Sequence, residues 1–281
     1  MFQFLKNRQH TIRKFRADQI PSAKRYFKRH GYVVFKDAFS VSDGLAFWAD
    51  VEKAIEDRVP LSFSCYGQFY VNPDVPMEGF KLPRIIDAEH HIESCRDLAL
   101  APIVRNFLSS LYGMAPTCLQ TLTYKFSSEQ GAHSDHSLVS PPHSSGYDRE
   151  TLAASWFALE DADQSNGALV IYPGSHKVGT RSIYDGFDMN YDDFSQHCVD
   201  ECARAGAKPA VFKAKAGDVL FWHGNLVHAG GPILARDNQP TRKSLVSHYA
   251  AIPEGEASTD PRWVRMPHRG GSYFAKVPES V

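Results

Sequence analysis

The sequence lacks the features that mark membrane, secreted and nucleic-acid-binding proteins. No run approaches the roughly 18 consecutive apolar residues that a membrane-spanning helix needs, and the N-terminus lacks the basic-then-apolar order of a signal peptide. The 31 basic and 32 acidic residues give a formal net charge of -1, so no overall field attracts nucleic acid or an anionic membrane. We therefore expect a cytoplasmic protein whose partners are neither nucleic acid nor a membrane.

Cysteine is also scarce. The five cysteines are scattered and odd in number, which suits a reducing compartment better than a disulfide framework. His197, Cys198 and Cys202 are spaced like half of a zinc site, but no second cysteine pair accompanies them. A structural zinc site is therefore the weaker interpretation of these residues.

The patterns that are present predict a mainly β fold with flanking helices. Apolar periodicity predicts helices over 17–30, 42–58 and 94–112, the last ending at Gly113, a common residue after a helix. Strands at a short, regular spacing without long intervening helices are typical of an antiparallel barrel or jelly roll. Such β-prone runs, separated by turn residues, occur at 117–126, 152–160, 168–172, 209–213, 218–222 and 244–252.

The length of 281 residues allows a single domain. We predict one domain over 1–281, with a helical N-terminal part at about 17–113, a jelly-roll core at about 114–252 and a C-terminal extension at 253–281. Residues 60–94 hold prolines and aromatics without a clear period, so they are expected to be irregular and to cover the core. The acidic stretch 184–207 is expected to form a loop and a short helix at the barrel mouth, as a solvated insertion in preference to a substrate lid.

Histidine is abundant, with 13 residues, and His133-Ser134-Asp135 carries the clearest chemistry. Side chains two positions apart on an extended segment point to the same side, so one imidazole and one carboxylate can reach a common metal ion. A histidine from another strand would complete a triad that leaves coordination positions open and is diagnostic of non-haem Fe(II) oxygenases. His223 and His228 both follow the strand predicted at 218–222, and spacing alone does not choose between them.

Arg242 lies fourteen residues beyond His228, near the start of the last predicted strand of the core. Its planar guanidinium suits a two-point grip on a carboxylate better than a lysine would. Beside a metal site, such an arginine is well suited to anchor the far carboxylate of a dicarboxylate co-substrate.

Four sequence elements together resemble the phytanoyl-CoA dioxygenase family, in its order and rough spacing. They are the His133-x-Asp135 pair, the string Asn166-Gly167-Ala168-Leu169-Val170-Ile171-Tyr172-Pro173-Gly174-Ser175-His176, the segment from Gly217 to His228, and Arg242-Lys243-Ser244. The resemblance covers roughly residues 20–252. It implies a double-stranded β-helix core of the cupin-like kind, and an oxygenase that uses Fe(II), O2 and the co-substrate 2-oxoglutarate on a small-molecule substrate.

The resemblance also implies roles for individual residues. His133, Asp135 and His228 resemble the iron ligands, and Arg242 resembles the anchor for the far carboxylate of 2-oxoglutarate. With His228 as the third ligand, His223 is expected to have a supporting or structural role.

Three further residues match the family's co-substrate pocket. Trp156 and Leu122 resemble residues that line it, although Trp156 is equally well explained as barrel core. Arg84 falls near a family lysine. His176, at the end of the Pro173-Gly174-Ser175-His176 turn, is explained by turn chemistry, and we interpret it as structural.

The sequence departs from the enzymes that name the family in its substrate region. Residues 136–147 contain no basic cluster that could bind the phosphates of CoA, so a smaller substrate is expected. The pocket walls are predicted at 63–70, 136–147 and 184–207. Related halogenases replace the carboxylate ligand to make room for halide, whereas Asp135 is present here. The implied reaction is therefore hydroxylation or another oxidation of an aliphatic C–H, with release of succinate and CO2.

Two other functions are compatible with the same ligands. The first is a jelly roll that binds a ligand without turnover. The second is a zinc hydrolase with His133, Asp135 and His228 on the metal, which would leave Arg242 and the 166–176 string unexplained. The sequence does not determine the oligomeric state.

Overall fold

Two facing β-sheets form the centre of the described part of the chain, with four helices on the outer face of the larger sheet and a fifth beside the smaller one. The computed structural model describes residues 11–65, 68–72, 84–139, 152–178, 190–238 and 240–252, and the backbone of 264–267 and 273–276. The strands are β1 Lys14–Phe15, β2 Tyr32–Phe35, β3 Ser62–Cys65, β4 Gln68–Val71, β5 Arg84–Ile86, β6 Thr117–Tyr124, β7 Leu152–Ala158, β8 Leu169–Ile171, β9 Ala210–Phe212, β10 Val219–His223, β11 His228–Gly230, β12 Ser244–Ala250, β13 Val264–Pro267 and β14 Tyr273–Lys276. The α-helices are α1 Ile20–His30, α2 Val41–Glu56, α3 Glu93–Ala99, α4 Pro102–Tyr112 and α5 Tyr191–Arg204.

The larger sheet has the strand order β1-β2-β10-β7-β12-β6-β5-β3-β4, and the smaller has the order β11-β8-β9. The central pairs β10–β7, β7–β12 and β12–β6 are all antiparallel, as are both pairs of the smaller sheet. A cluster of buried side chains from both sheets fills the space between them, including Trp156 and Leu220 from one and Ile171 and Phe212 from the other. This arrangement confirms the predicted jelly roll, a double-stranded β-helix with flanking helices.

The alternation of side chains along β10 shows how the layers are built. Val219 and Phe221 point outward into a core shared with the helices, whereas Leu220 and Trp222 point inward between the two sheets. All four are buried. Because both faces of this strand are covered, its sequence is a continuous apolar run rather than an alternating one.

Helices α1 to α4 pack their apolar faces onto the outer side of the larger sheet. Phe27 of α1, Phe47 of α2 and Phe107 of α4 share one buried cluster with Phe157 and Phe221 of the sheet. The helix predicted at 94–112 is two helices, α3 and α4, because Pro102 has no amide hydrogen to continue the first and instead begins the second. Helix α4 ends at Gly113 as predicted, with φ of 77°.

The prediction that residues 60–94 are irregular is wrong for the described part of that range. Strands β3, β4 and β5 extend the larger sheet beyond β6, with Ile85 opposite Thr123 and Phe63 opposite Ile85. Each has only three or four residues, too few for a period to show in the sequence. Of the proposed extension 253–281, the described parts form β13 and β14, and β14 pairs with β6. The single-domain assignment stays a prediction.

Candidate metal centre

A short antiparallel contact between two segments brings two predicted ligands together. The amide of His133 donates to the carbonyl of His228 at 3.0 Å, and the amide of His228 donates back to the carbonyl of His133 at 2.9 Å. Residues opposite each other in such a pair project their side chains to the same side. The two imidazole rings accordingly lie with centroids 4.4 Å apart.

Each imidazole is oriented by a hydrogen bond to its own chain. Nδ1 of His133 lies 2.8 Å from the carbonyl oxygen of Gly131, and Nδ1 of His228 lies 3.0 Å from that of Leu226. A carbonyl oxygen only accepts, so each Nδ1 carries a proton, and in the neutral ring Nε2 keeps a free electron pair. This is the tautomer that binds a metal through Nε2.

Asp135 supplies the third candidate ligand atom. Ser134 has an extended backbone (φ -115°, ψ 145°), so Asp135 faces the same way as His133, as the spacing predicted. Its Oδ1 lies 3.8 Å from Nε2 of His133 and 3.6 Å from Nε2 of His228. Within the described ranges, these three residues form the one group of histidine, cysteine and acidic side chains that could hold a metal ion.

The protonation states at this site favour a cation. Burial and the neighbouring His228 lower the pKa of His133 to about 3. Burial alone would raise the pKa of Asp135, but His228, His248 and His133 around it lower that pKa well below its usual range. At neutral pH His133 is therefore neutral and Asp135 ionised, which is the state that metal binding requires.

The competing histidines and cysteines lie elsewhere. His223 follows Trp222 on β10 and so points to the helical side, with its ring 6.3 Å from that of Phe27. His176 contacts helix α1 through Nε2, 3.2 Å from the carbonyl oxygen of Lys28, in agreement with a structural role. Cys198 and Cys202 of α5 are buried among apolar side chains. In the portion of the chain described, neither belongs to a group of residues that could bind zinc.

Arg242 is a buried cation that is only 2% exposed. One terminal nitrogen donates to the carbonyl of Gly167 at 2.6 Å, and the guanidinium carbon lies 5.6 Å from the centre of the Trp156 ring. Its Nε has no hydrogen-bond partner in the described structure, and no carboxylate there pairs with it. Burial lowers the pKa of Arg242 to about 10. A buried guanidinium without a negatively charged partner is unfavourable, and an anionic ligand would supply that partner.

The 166–176 string positions both halves of the site. The side-chain amide of Asn166 donates to the carbonyls of Asp161 and Thr241, both at 2.9 Å, and so fixes the residue before Arg242. Gly167 accepts the bond from Arg242 and has φ of +87°, where a Cβ would lie 2.7 Å from the carbonyl oxygen of Gly231. Ile171 pairs with His228 in the smaller sheet. The string is therefore a scaffold for the ligands and the arginine rather than a ligand set.

The other predicted pocket residues have different surroundings. Val246 lies opposite both Leu122 and Trp156, and the three line the inner face of the larger sheet. Arg84 begins β5 and is partly buried. Ile85 packs against the helices, so Arg84 is on the inner face, although no described contact joins it to Arg242.

Helix α5 forms one wall beside the metal ligands. Its first residue, Tyr191, has its ring centroid 6.2 Å from that of His133, and its hydroxyl accepts from the side-chain Nε2 of Gln130 at 2.8 Å. A helix is thus present within 184–207, but it has 14 residues and is not short as predicted. It packs against the His133 segment, while 184–189 lie outside the described residues. Of the other predicted walls, Phe63 packs on the helical side instead, and 140–147 lie outside the described residues.

With this geometry established, comparison with known families decides the assignment. Residues 27–238 match the family model described as phytanoyl-CoA dioxygenase (PhyH). The chain belongs to the phytanoyl-CoA dioxygenase family. Members of this family are non-haem iron, 2-oxoglutarate-dependent oxygenases. The predicted enzyme class and the cofactors Fe(II), 2-oxoglutarate and O2 are therefore confirmed at the level of the family.

Among curated relatives in this family, the peroxisomal phytanoyl-CoA dioxygenase of Bos taurus is 24% identical over 238 residues, covering 81% of this chain and 67% of that protein. Phytanoyl-CoA dioxygenase 1 of Oryza sativa subsp. japonica is 29% identical over 172 residues, covering 58% of this chain and 54% of that protein. In the part of the chain that is described, no helix is long and apolar enough to cross a membrane. The cytoplasmic location stays a prediction, since one relative is named as peroxisomal.

Solved structures share the fold of this family member at low sequence identity. The non-heme alpha ketoglutarate dependent epimerase SnoN from nogalamycin biosynthesis has a TM-score of 0.62 and 17% identity, covering 92% of this chain and 98% of that one. EctD from S. alaskensis, solved with 2-oxoglutarate and 5-hydroxyectoine, has a TM-score of 0.60 and 19% identity, covering 82% and 75%.

Two residues that contact the site were missed by sequence reasoning. Trp222 of β10 donates from its indole Nε1 to Oδ2 of Asp135 at 2.6 Å, and Nε2 of His248 of β12 lies 3.4 Å from the same oxygen. The alternation of side chains along a strand could have indicated both residues. Trp222 faces the opposite side from its neighbour His223, and His248 faces the same inner side as Val246, two positions earlier.

Proposed function

We propose that this chain uses Fe(II) and 2-oxoglutarate to oxidise an aliphatic C–H bond of a small-molecule substrate, most simply by hydroxylation, with release of succinate and CO2. The observation that carries this proposal is a pairing of two features inside one barrel. Two imidazole Nε2 atoms and one carboxylate Oδ1 converge, and a buried arginine on the same inner surface has no carboxylate partner among the described residues.

The donor set fits both groups. Two histidines and one carboxylate leave three positions of an octahedral iron open, which is what a chelating 2-oxo acid and O2 require. When bound, the iron would supply the oxygen chemistry. The chain's own part is to present the Nε2 atoms of His133 and His228, to present an ionised Oδ1 from Asp135, and to grip the far carboxylate of 2-oxoglutarate through Arg242.

The apolar inner face contributes by excluding water. Trp156, Leu122 and Val246 are each at most 9% exposed and line the inner face of the larger sheet, with Val246 between Arg242 and His248 along the chain. A dry, low-dielectric lining strengthens the arginine–carboxylate attraction and limits side reactions of a reactive site.

A small substrate is supported by the walls of the site. Tyr191 of α5 stands next to His133, so the helix narrows the approach to the metal on that side. Neither Lys nor Arg occurs in 136–139, the described start of the segment expected to contact the substrate. Two neighbours in fold, SnoN and EctD, were solved with small molecules, nogalamycin RO and 5-hydroxyectoine. We propose a small metabolite, such as an amino acid, a phosphonate or an intermediate of secondary metabolism, in place of an acyl-CoA.

The test is succinate release from 2-oxoglutarate with Fe(II), ascorbate and O2, screened over a library of small metabolites. The wild-type chain should release succinate slowly without substrate and faster with the right one. His133→Ala and Asp135→Ala should release none, because each removes a metal ligand. His223→Ala is the matched control and should retain turnover, since this histidine points to the helical layer.

The outcomes separate the competing functions. Succinate release that is unchanged in His133→Ala would rule out the assigned ligands. Tight Fe(II) and 2-oxoglutarate binding with no release under any condition would indicate a ligand-binding protein without turnover. Zinc-dependent hydrolysis that does not require 2-oxoglutarate would favour a hydrolase.

A further inference from the structure

The two oxygens of the Asp135 carboxylate have different surroundings. Oδ1 faces the imidazoles of His133 and His228. Oδ2 accepts the indole N–H of Trp222 at 2.6 Å and lies 3.4 Å from Nε2 of His248. All of these side chains are buried, at 7% exposure or less. One oxygen is therefore directed at the metal position and the other is held by the protein.

Trp222 and His248 reach this oxygen from two strands that flank β7. Trp222 is on the inner face of β10, and His248 is on the inner face of β12. The β12–β6 ladder shifts register between His248 and Tyr249, and such irregularities commonly re-aim a side chain near a functional site. Trp222 also packs its ring 4.9 Å from that of His228, so one side chain contacts two of the three ligands.

We propose that Trp222 and His248 are positioning residues that hold Oδ2 of Asp135, so that the carboxylate binds the metal through Oδ1 alone. This inference rests on the proposed function. A carboxylate that bound through both oxygens would occupy one of the three positions that 2-oxoglutarate and O2 need. Partners of this kind orient a ligand, and their loss typically weakens metal binding by about 10–100-fold.

The test measures metal binding in the absence of turnover. The metal-free protein is titrated with Co(II) under argon, and the visible absorption gives both the affinity and the intensity of the bands per cobalt. Trp222→Phe keeps an aromatic ring beside His228 but removes the N–H donor. It should bind Co(II) about 10–100-fold more weakly, with a changed band intensity because the second oxygen of Asp135 is free to take a coordination position that solvent holds in the wild type.

A matched control is available outside the barrel. Trp48 on α2 donates its indole N–H to Glu52 at 2.8 Å, so Trp48→Phe removes the same kind of bond away from the metal. This variant should bind Co(II) as the wild type does. His248→Leu removes the second donor and should also weaken Co(II) binding, whereas His248→Gln, which keeps an N–H donor, should restore part of the affinity.

Thermal unfolding by circular dichroism identifies the variants that fold. Wild-type Co(II) affinity and band intensity in folded Trp222→Phe would overturn the inference and leave the proposed function intact. If Trp222→Phe does not fold, His248→Leu is decisive by the same criterion. Failure of the wild-type chain to bind Co(II) or Fe(II) would overturn the proposed function and the inference together.

Discussion

Replacing Arg242 by methionine should have opposite effects on the stability of the ligand-free protein and on its affinity for 2-oxoglutarate. Arg242 is buried, and its side chain has a single protein hydrogen bond in the described structure, to the carbonyl of Gly167. Methionine is similar in length and flexible enough to fill the space beside Trp156 without a charge. The variant therefore removes the grip on the co-substrate together with an unfavourable buried cation.

The magnitudes follow from the structure. Burial lowers the pKa of Arg242 from 12.5 to about 10, which corresponds to a penalty of about 3 kcal/mol for burying the charge, at about 1.4 kcal/mol per pKa unit. The Gly167 carbonyl loses its partner in the variant, at a cost of about 1–3 kcal/mol. We therefore expect ligand-free Arg242→Met to be as stable as the wild type, or up to about 2 kcal/mol more stable.

The effect on the co-substrate is larger and has the opposite sign. Removing one partner of a buried charge pair costs about 2–5 kcal/mol, so 2-oxoglutarate should bind the variant at least about 30-fold more weakly. A ligand at 100 times its Kd stabilises the wild type by about 2.7 kcal/mol. At that concentration most of this shift should disappear in the variant.

The assay is urea unfolding under argon with Fe(II), with and without 2-oxoglutarate. Arg236→Met is the control, because Arg236 is an exposed arginine that pairs with Glu129 and should leave the 2-oxoglutarate shift intact. If Arg242→Met kept the full shift, or lost more than about 3 kcal/mol of ligand-free stability, the reasoning about this arginine would be refuted.

Three other predictions concern residues around the site. Burial, with a contribution from Asp87, raises the pKa of Glu89 from 4.5 to about 8. The folded protein then holds a proton that the unfolded chain releases, so stability should fall between about pH 4.5 and pH 8. Glu89→Gln should flatten that dependence in urea unfolding measured across this range, and an unchanged slope would contradict the assignment. A Cβ on Gly131 would lie 2.5 Å from the hydroxyl of Ser195. Gly131→Ala should therefore displace α5 and cost about 1–3 kcal/mol of unfolding free energy. Adding Ser195→Ala should recover part of that loss. Equal stability of Gly131→Ala and the Gly131→Ala, Ser195→Ala double variant would argue against this contact. Asn166→Ala should leave the Asp161 and Thr241 carbonyls without this partner and loosen the segment before Arg242. In the succinate assay, KM for 2-oxoglutarate should therefore rise by a larger factor than kcat falls. An unaltered KM would contradict the scaffold role.

The elements predicted from sequence are those that local patterns determine. The spacing of His133 and Asp135 required only an extended Ser134, and the structure has it. The strands of the core were found because their apolar runs are bounded by turn residues. Pro102 divides the helix predicted at 94–112, because apolar periodicity runs through this segment while proline lacks the amide hydrogen that a continuous helix needs.

The elements that were missed depend on contacts between distant segments. Trp222 and His248 meet Asp135 only because β10, β7 and β12 are adjacent in the sheet, and no local spacing specifies that order. His228 could be preferred to His223 from the resemblance, while the physical reason is the pairing of its backbone with His133. Strands β3 to β5 are too short to show a period, and their pairing beyond β6 joins segments that are far apart in the sequence.

Anaerobic titration with Fe(II) and 2-oxoglutarate tests the central claim most directly. The chelate of a 2-oxo acid on Fe(II) gives a weak visible charge-transfer band, and we predict that it saturates at one Fe(II) per chain in the wild type. The band should be absent in Asp135→Ala and present in His223→Ala. A wild-type chain that gives no band, or an Asp135→Ala variant that gives the full band, would contradict the assignment of His133, Asp135 and His228 as the iron ligands.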